Sequence, residues 1–85
     1  MNKEHVVWFV YMLKCSDETL YTGITIDLNR RVDEHNNSSK GAKYTRTRRP
    51  LKLLYFEEHK DKSSASKREH EIKKLSRAKK LELIK

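Results

Sequence analysis

Two tyrosines ten positions apart, Tyr11 and Tyr21, an arginine and a histidine one helical turn apart, Arg31 and His35, and a distant glutamate, Glu69, are the residues here whose types could together do chemistry. A phenol can orient a water and, if cations lower a pKa that starts near about 10, take a proton from it. A guanidinium grips phosphate, and an imidazole moves protons near neutral pH. Glu69 shares a helical stripe with Ala65, Ile72 and Ser76, so it should face the protein. An ionised carboxylate in that place needs a metal, an arginine or access to water. The run KYTRTRR sets Lys43, Arg46, Arg48 and Arg49 around Tyr44, a mixture that suits phosphate contact and stacking on a base or sugar. Phosphodiester hydrolysis asks for a base, for positive charge at the developing phosphoryl group and for stabilisation of the leaving oxygen, and these residue types offer all three. Each also has an ordinary reading. The tyrosines could be strand aromatics packing a core, His35 a packed helix histidine, and Glu69 a surface acid paired with Lys73 one turn on.

The elements that must position these residues are legible in outline. Val6 to Leu13 is a near-continuous apolar run, rich in β-branched and aromatic residues, and reads as a strand buried on both faces. A polar turn follows from Cys15 to Thr19, built on Ser16, Asp17 and Glu18, and Leu20-Tyr21-Thr22 reads as a second strand that stops at Gly23. That glycine suits a close backbone approach or a positive φ. The two strands should pair antiparallel. Tyr11 and Tyr21 then share a face only if the connection has an odd number of residues or a bulge shifts the pairing; a two-residue turn at Asp17-Glu18 would separate them. A helix capped by Thr25 or Asp27 carries Leu28, Val32 and His35 on one face and ends near Asn36-Asn37, with a loop to Gly41. Leu51 to Glu58 reads as a third strand after Pro50. Asp61, Ser63 or Ser64 should cap a helix through ASKREHEIKKL, and Ser76 a last helix from Arg77 to Ile84, with Ala78, Leu81 and Ile84 inward and Lys79 and Lys80 outward.

With 85 residues, the chain is expected to form one domain over residues 1–85, its core at 6–80, with an open and shallow site rather than an enclosed cavity. The net charge of +8 is placed unevenly: the first half, to Ser39, is slightly acidic, and the lysines and arginines gather after it. Such a half suits a polyphosphate partner, with salt-dependent affinity. A solvated lysine-rich surface is the plainer alternative, and a membrane surface ranks low because no wide apolar face opposes the lysines. One cysteine, Cys15, excludes an internal disulfide, and no Cys/His spacing suggests zinc. Met1 to His5 is polar and carries no leader pattern, and the apolar run is too short to span a membrane. A cytoplasmic protein is expected.

Phe9-Val10-Tyr11, then Tyr21-Thr22-Gly23, then Asp27-Leu28 with Arg31 and His35, resemble the core of the GIY-YIG nuclease superfamily. Gly41 to Arg46, the strand from Lys52 to Glu58 and Lys67-Arg68-Glu69 extend the likeness to the small, single-domain, largely uncharacterised bacterial branch, and the chain is also similar to the catalytic domain of the eukaryotic Slx-type subunit that cuts branched DNA. The first motif has Phe9 and Val10 where the family has Gly and Ile, and no counterpart of the asparagine of the homing endonucleases follows Glu69. The resemblance implies an α+β fold in the order strand, strand, helix, strand, helix, helix, with a three-stranded sheet flanked by helices. It implies an endonuclease acting on DNA in preference to RNA, with branched or flapped structures as candidate substrates and one Mg²⁺ or Mn²⁺ held by Glu69. Tyr11 and Tyr21 would orient and deprotonate water, Arg31 would grip the scissile phosphate, and His35 would share proton transfer or phosphate binding. Gly23, Lys43, Tyr44, Arg46, Arg48, Arg49, Lys73, Lys74 and Lys79 would meet the nucleic acid. A nucleic-acid-binding module with little turnover, for DNA or RNA, is the alternative, and a protein partner is open.

Overall fold

The computed structural model describes residues 6–84, so the expectation about Met1 to His5 lies outside the described residues. Three strands, β1 (Trp8–Lys14), β2 (Leu20–Thr25) and β3 (Lys52–His59), form an antiparallel sheet in the order β2-β1-β3. The central place falls to the strand with the most continuous apolar sequence: Val10, Tyr11, Met12 and Leu13 are all buried. Val6 and Val7, read as part of that strand, precede it and are exposed.

Helix α1 (Leu28–Asn37) covers one face and α3 (Lys62–Lys74) the other; between α1 and β3 the basic run opens with a one-turn helix, α2 (Lys43–Arg46), which the expected order of elements lacks, and α4 (Arg77–Leu83) closes the chain. Val10 and Met12 pack with Ala65 and Ile72 of α3. Tyr11, Leu13, Cys15 and Leu51 pack on the opposite face, with Tyr21, Leu28 and Val32 against them. Asp27, Asp61 and Ser76 cap α1, α3 and α4, each side chain accepting a hydrogen bond from a backbone N–H three residues on. In α4 the inward side follows expectation at Ile84 and departs from it elsewhere. Leu83 and Ile84 pack against the α3 face, whereas Ala78 and Leu81 are exposed and Lys80 is half-buried, because the helix approaches through its C-terminal end.

Two irregularities set which side chains share a face. The β1–β2 connection has five residues, Cys15 to Thr19, closed by Cys15 N–H donating to the Thr19 carbonyl and by Asp17 accepting from Thr19. With this odd count Leu13 faces Tyr21 and Tyr11 faces Gly23, so both tyrosines lie on the α1 side. In β3 the register jumps: Met12 pairs with Tyr55 but Leu13 with Leu53, leaving Leu54 as the extra residue of a bulge.

Candidate active site

Tyr11 lies at the middle of the sheet and its ring crosses to β2 over Gly23. A Cβ at Gly23 would stand 2.6 Å from the Tyr11 hydroxyl and 2.8 Å from Cζ, so the glycine is there for close approach; its φ is not positive. The phenol then meets α1, where its oxygen is 2.7 Å from Nε2 of His35. His35 is fully buried, and its other ring nitrogen, Nδ1, is 3.0 Å from the Thr45 hydroxyl of α2. Tyr21, from β2, packs edge-on against the His35 ring with centroids 5.1 Å apart, and stacks on Tyr44 at 6.0 Å.

Electrostatics at this cluster favours neutral forms. Burial, and then the neighbouring Tyr21, push the Tyr11 pKa well above the usual phenol range, while the Arg31 guanidinium beside it works in the opposite direction. Burial and the Arg31 charge bring the His35 pKa down to about 4, against a smaller opposing pull from Glu34. Arg31 itself donates to Glu34 at 2.7 Å and to the Lys40 carbonyl at 2.9 Å, so its head is held in place beside the phenol.

Of the residues singled out in the sequence, Tyr11, Tyr21, Arg31 and His35 come together on one face. Glu69 approaches from α3; its charge is felt at Tyr11, and its carboxylate is 3.2 Å from the Lys73 ammonium, as the surface-pair reading had it. Among the described residues no three His, Cys, Asp or Glu side chains form a metal-binding group. A lone, partly exposed carboxylate still fits a hard divalent cation of the magnesium type, which keeps several waters and takes one or two carboxylates with substrate phosphates.

Around this centre Tyr44, Lys73 and Lys80 line a shallow groove with Leu20, Tyr21 and Thr22. Lys43, Arg46, Lys74 and Lys79 are exposed. Two arginines have work within the fold. Arg48 lies 3.8 Å over the Tyr44 ring and pairs with Asp17 at 3.1 Å, tying α2 to the β1–β2 turn. Arg49 donates to the carbonyls of His35 and Ser38, both at 2.6 Å, which satisfies the end of α1 and holds the helix in position. Thr45 lies in the Gly41 to Arg46 stretch but is not among the expected site residues, since its meeting with His35 is made by the packing of α2 on α1. Gly41 permits that packing: a Cβ there would lie 2.7 Å from the Glu34 carbonyl oxygen and 2.8 Å from the His35 Cα.

A two-tyrosine sheet with an arginine–histidine helix on one face and a glutamate-bearing helix on the other defines a class, and comparison with known proteins agrees. The family model described as the GIY-YIG catalytic domain matches residues 7–82. The chain belongs to the GIY-YIG catalytic domain family and, within it, to the small bacterial family of UPF0213 proteins. It is 58% identical over 78 residues to a UPF0213 protein of Desulfotalea psychrophila, covering 92% of this chain and 71% of that one. A UPF0213 protein of Staphylococcus aureus is 57% identical over 77 residues, covering 91% and 93%. Among solved structures, the solution structure of a UPF0213 protein from Bacillus halodurans matches with a TM-score of 0.58 at 45% identity, covering 92% of this chain and 82% of that one. The solution structure of an E. faecalis protein matches with a TM-score of 0.61 at 38% identity, covering 96% and 85%.

Proposed function

We propose that this protein is a divalent-metal-dependent endonuclease that hydrolyses phosphodiester bonds in DNA, with branched or flapped structures as its substrates, in the cytoplasm. The observation that carries the reading is the convergence of Tyr11, Tyr21, Arg31 and His35 on one face with Glu69 approaching from α3. In this reading Arg31 grips the scissile phosphate, Tyr11 and Tyr21 orient the water, and His35 holds the Tyr11 phenol. Glu69 would hold the cation, releasing Lys73, and a bound Mg²⁺ or Mn²⁺ would supply Lewis-acid stabilisation of the phosphoryl oxygens. Tyr11 is neutral in the free protein, so as a base it depends on the positive charge that Arg31 and the filled site bring to it. Lys43, Arg46, Lys74 and Lys79 meet phosphates on either side, with Tyr44 and Lys73 in the groove; Arg48 and Arg49 contribute mainly by holding α2 and α1 in place.

One observation favours a second reading, a binding module for DNA or RNA with little turnover: Glu69 is already paired with a lysine. Labelled branched, flapped, nicked and duplex DNAs, with RNA counterparts, incubated with magnesium or manganese and with a chelator, test both. Cation-dependent cleavage of a branched DNA is expected, with affinity that falls steeply from low to moderate salt. Tight, salt-sensitive binding without cleavage of any substrate would establish the module instead.

A further inference from the structure

The His35 ring is closed off from solvent, so both its nitrogens must find partners inside the protein. Nε2 is 2.7 Å from the Tyr11 oxygen and Nδ1 is 3.0 Å from Thr45 Oγ1. A neutral imidazole donates from one nitrogen and accepts at the other, and either order could satisfy this pair of contacts taken alone. Thr45 decides between them. Its hydroxyl has one proton, and that proton is directed at the Ala42 carbonyl 2.8 Å away. Toward His35 the threonine is therefore the acceptor, Nδ1 is the donor, Nε2 is left with its lone pair, and Tyr11 must donate to it. The competing order would use the Ala42 N–H as a donor to Nδ1, but that contact is 3.4 Å long, weaker than the bond it would displace. The Arg31 guanidinium beside the phenol can only donate, which also suits an oxygen whose own proton is turned away from it.

We propose that Thr45 is a positioning residue for Tyr11: anchored on Ala42, it fixes His35 as the Nδ1–H tautomer, which draws the Tyr11 proton inward and turns the phenol's lone pairs toward the reacting water. The opposite tautomer would have Nε2–H donating to the phenol, would send the phenol's proton outward, and would leave one lone pair there in place of two. The tautomer stands on geometry alone; its consequence for cleavage rests on the nuclease reading.

The test is two-bond ¹H–¹⁵N correlation of the histidine side chains in the full chain, followed by the same measurement and a cleavage assay on Thr45→Val and Thr45→Ser. In the parent, His35 is expected to carry its proton on Nδ1. Thr45→Val keeps the shape and removes the acceptor, so His35 should move to the Nε2–H tautomer, and kcat should fall on the order of 100-fold, within the range that a positioned acid–base group contributes, with KM little changed. Thr45→Ser should restore both. An Nε2–H tautomer in the parent overturns the proposal without any variant, and so does a Thr45→Val protein that keeps the parent tautomer or the parent rate. An Nδ1–H tautomer that responds to Thr45→Val in a protein that cleaves nothing would end the nuclease reading and leave the positioning of Tyr11 standing.

Discussion

Glu69 carries the sharpest contrast between chemistry and structure. It stands one turn from Lys73 and is paired with it, on a helix stripe otherwise occupied by the buried Ala65 and Ile72. If the carboxylate holds a cation, Glu69→Gln keeps size and helix but removes the charge a hard ion needs. Cleavage should then fall by orders of magnitude, while metal-free binding of nucleic acid holds or rises slightly, an acid having been removed beside phosphate. Melting should hardly change, because an ion pair with a half-exposed lysine contributes at most about 1 kcal/mol. Cleavage, binding and melting measured on the same mutant separate the roles. Unchanged cleavage would remove Glu69 from the chemistry, and a parallel loss of all three would make it structural.

At the scale of elements, the decisive contact is β1 on β2 through Tyr11 and Gly23. The ring can lie across the neighbouring strand only because that strand has no side chain at the point of crossing. Gly23→Ala places a methyl group 2.6 Å from the hydroxyl, against a side chain fixed by a 2.7 Å hydrogen bond to His35. Tyr11 must swing, and the bond to a fully buried histidine is lost with it. The expected cost is about 1 to 3 kcal/mol of stability, seen as a drop of several degrees in melting temperature, together with loss of cleavage beyond what the stability change explains. A protein with parent melting temperature and parent rate would show that the tyrosine has room to move. The same logic places α2: Gly41 lets its leading loop touch the backbone of α1, and Arg48 and Arg49 then tie it to the turn and to the helix end.

Across the whole molecule, two buried or half-buried titrations set the response to acid. The His35 pKa falls from 6.5 to about 4 on folding, so the unfolded chain takes up a proton that the folded one refuses, and stability declines as pH falls from 6.5 toward 4. For Glu57, burial alone would raise the pKa, but hydrogen bonds from Arg68, Tyr55 and His59 bring it from 4.5 to about 2. Its contribution is present above 4.5 and is lost as pH falls through about 2. Each shift corresponds to roughly 3 kcal/mol before solvent screening, and the excess positive charge of a chain already at +8 adds repulsion in the same direction. Urea unfolding near about pH 7 and near about pH 4 should show a clear fall in the midpoint that is smaller in His35→Asn. A flat profile would mean that His35 is not held neutral by the fold.

What the sequence determined by itself is the set of local elements and their caps. A continuous apolar run made the central strand, aspartate and serine stood where α1, α3 and α4 begin, and Tyr11, Tyr21, Gly23 and Arg31 stand in the order of a superfamily's motifs. These are properties of neighbours along the chain. The structure decided what depends on distant ones. The odd five-residue connection put Tyr11 and Tyr21 on one face, a choice that turn residues alone left open. The approach of α4 through its C-terminal end kept Ile84 of the inward stripe its periodicity suggested and replaced Ala78 and Leu81 with Leu83, because a short helix buries whichever face its end presents to the rest. Arg49 donates to the carbonyls at the end of α1, and Thr45 of α2 meets the ring of His35, contacts made between residues distant in the chain. Hydrogen-bond direction is decided by which partners packing brings within about 3 Å, and no spacing along a chain encodes that before the helices have met.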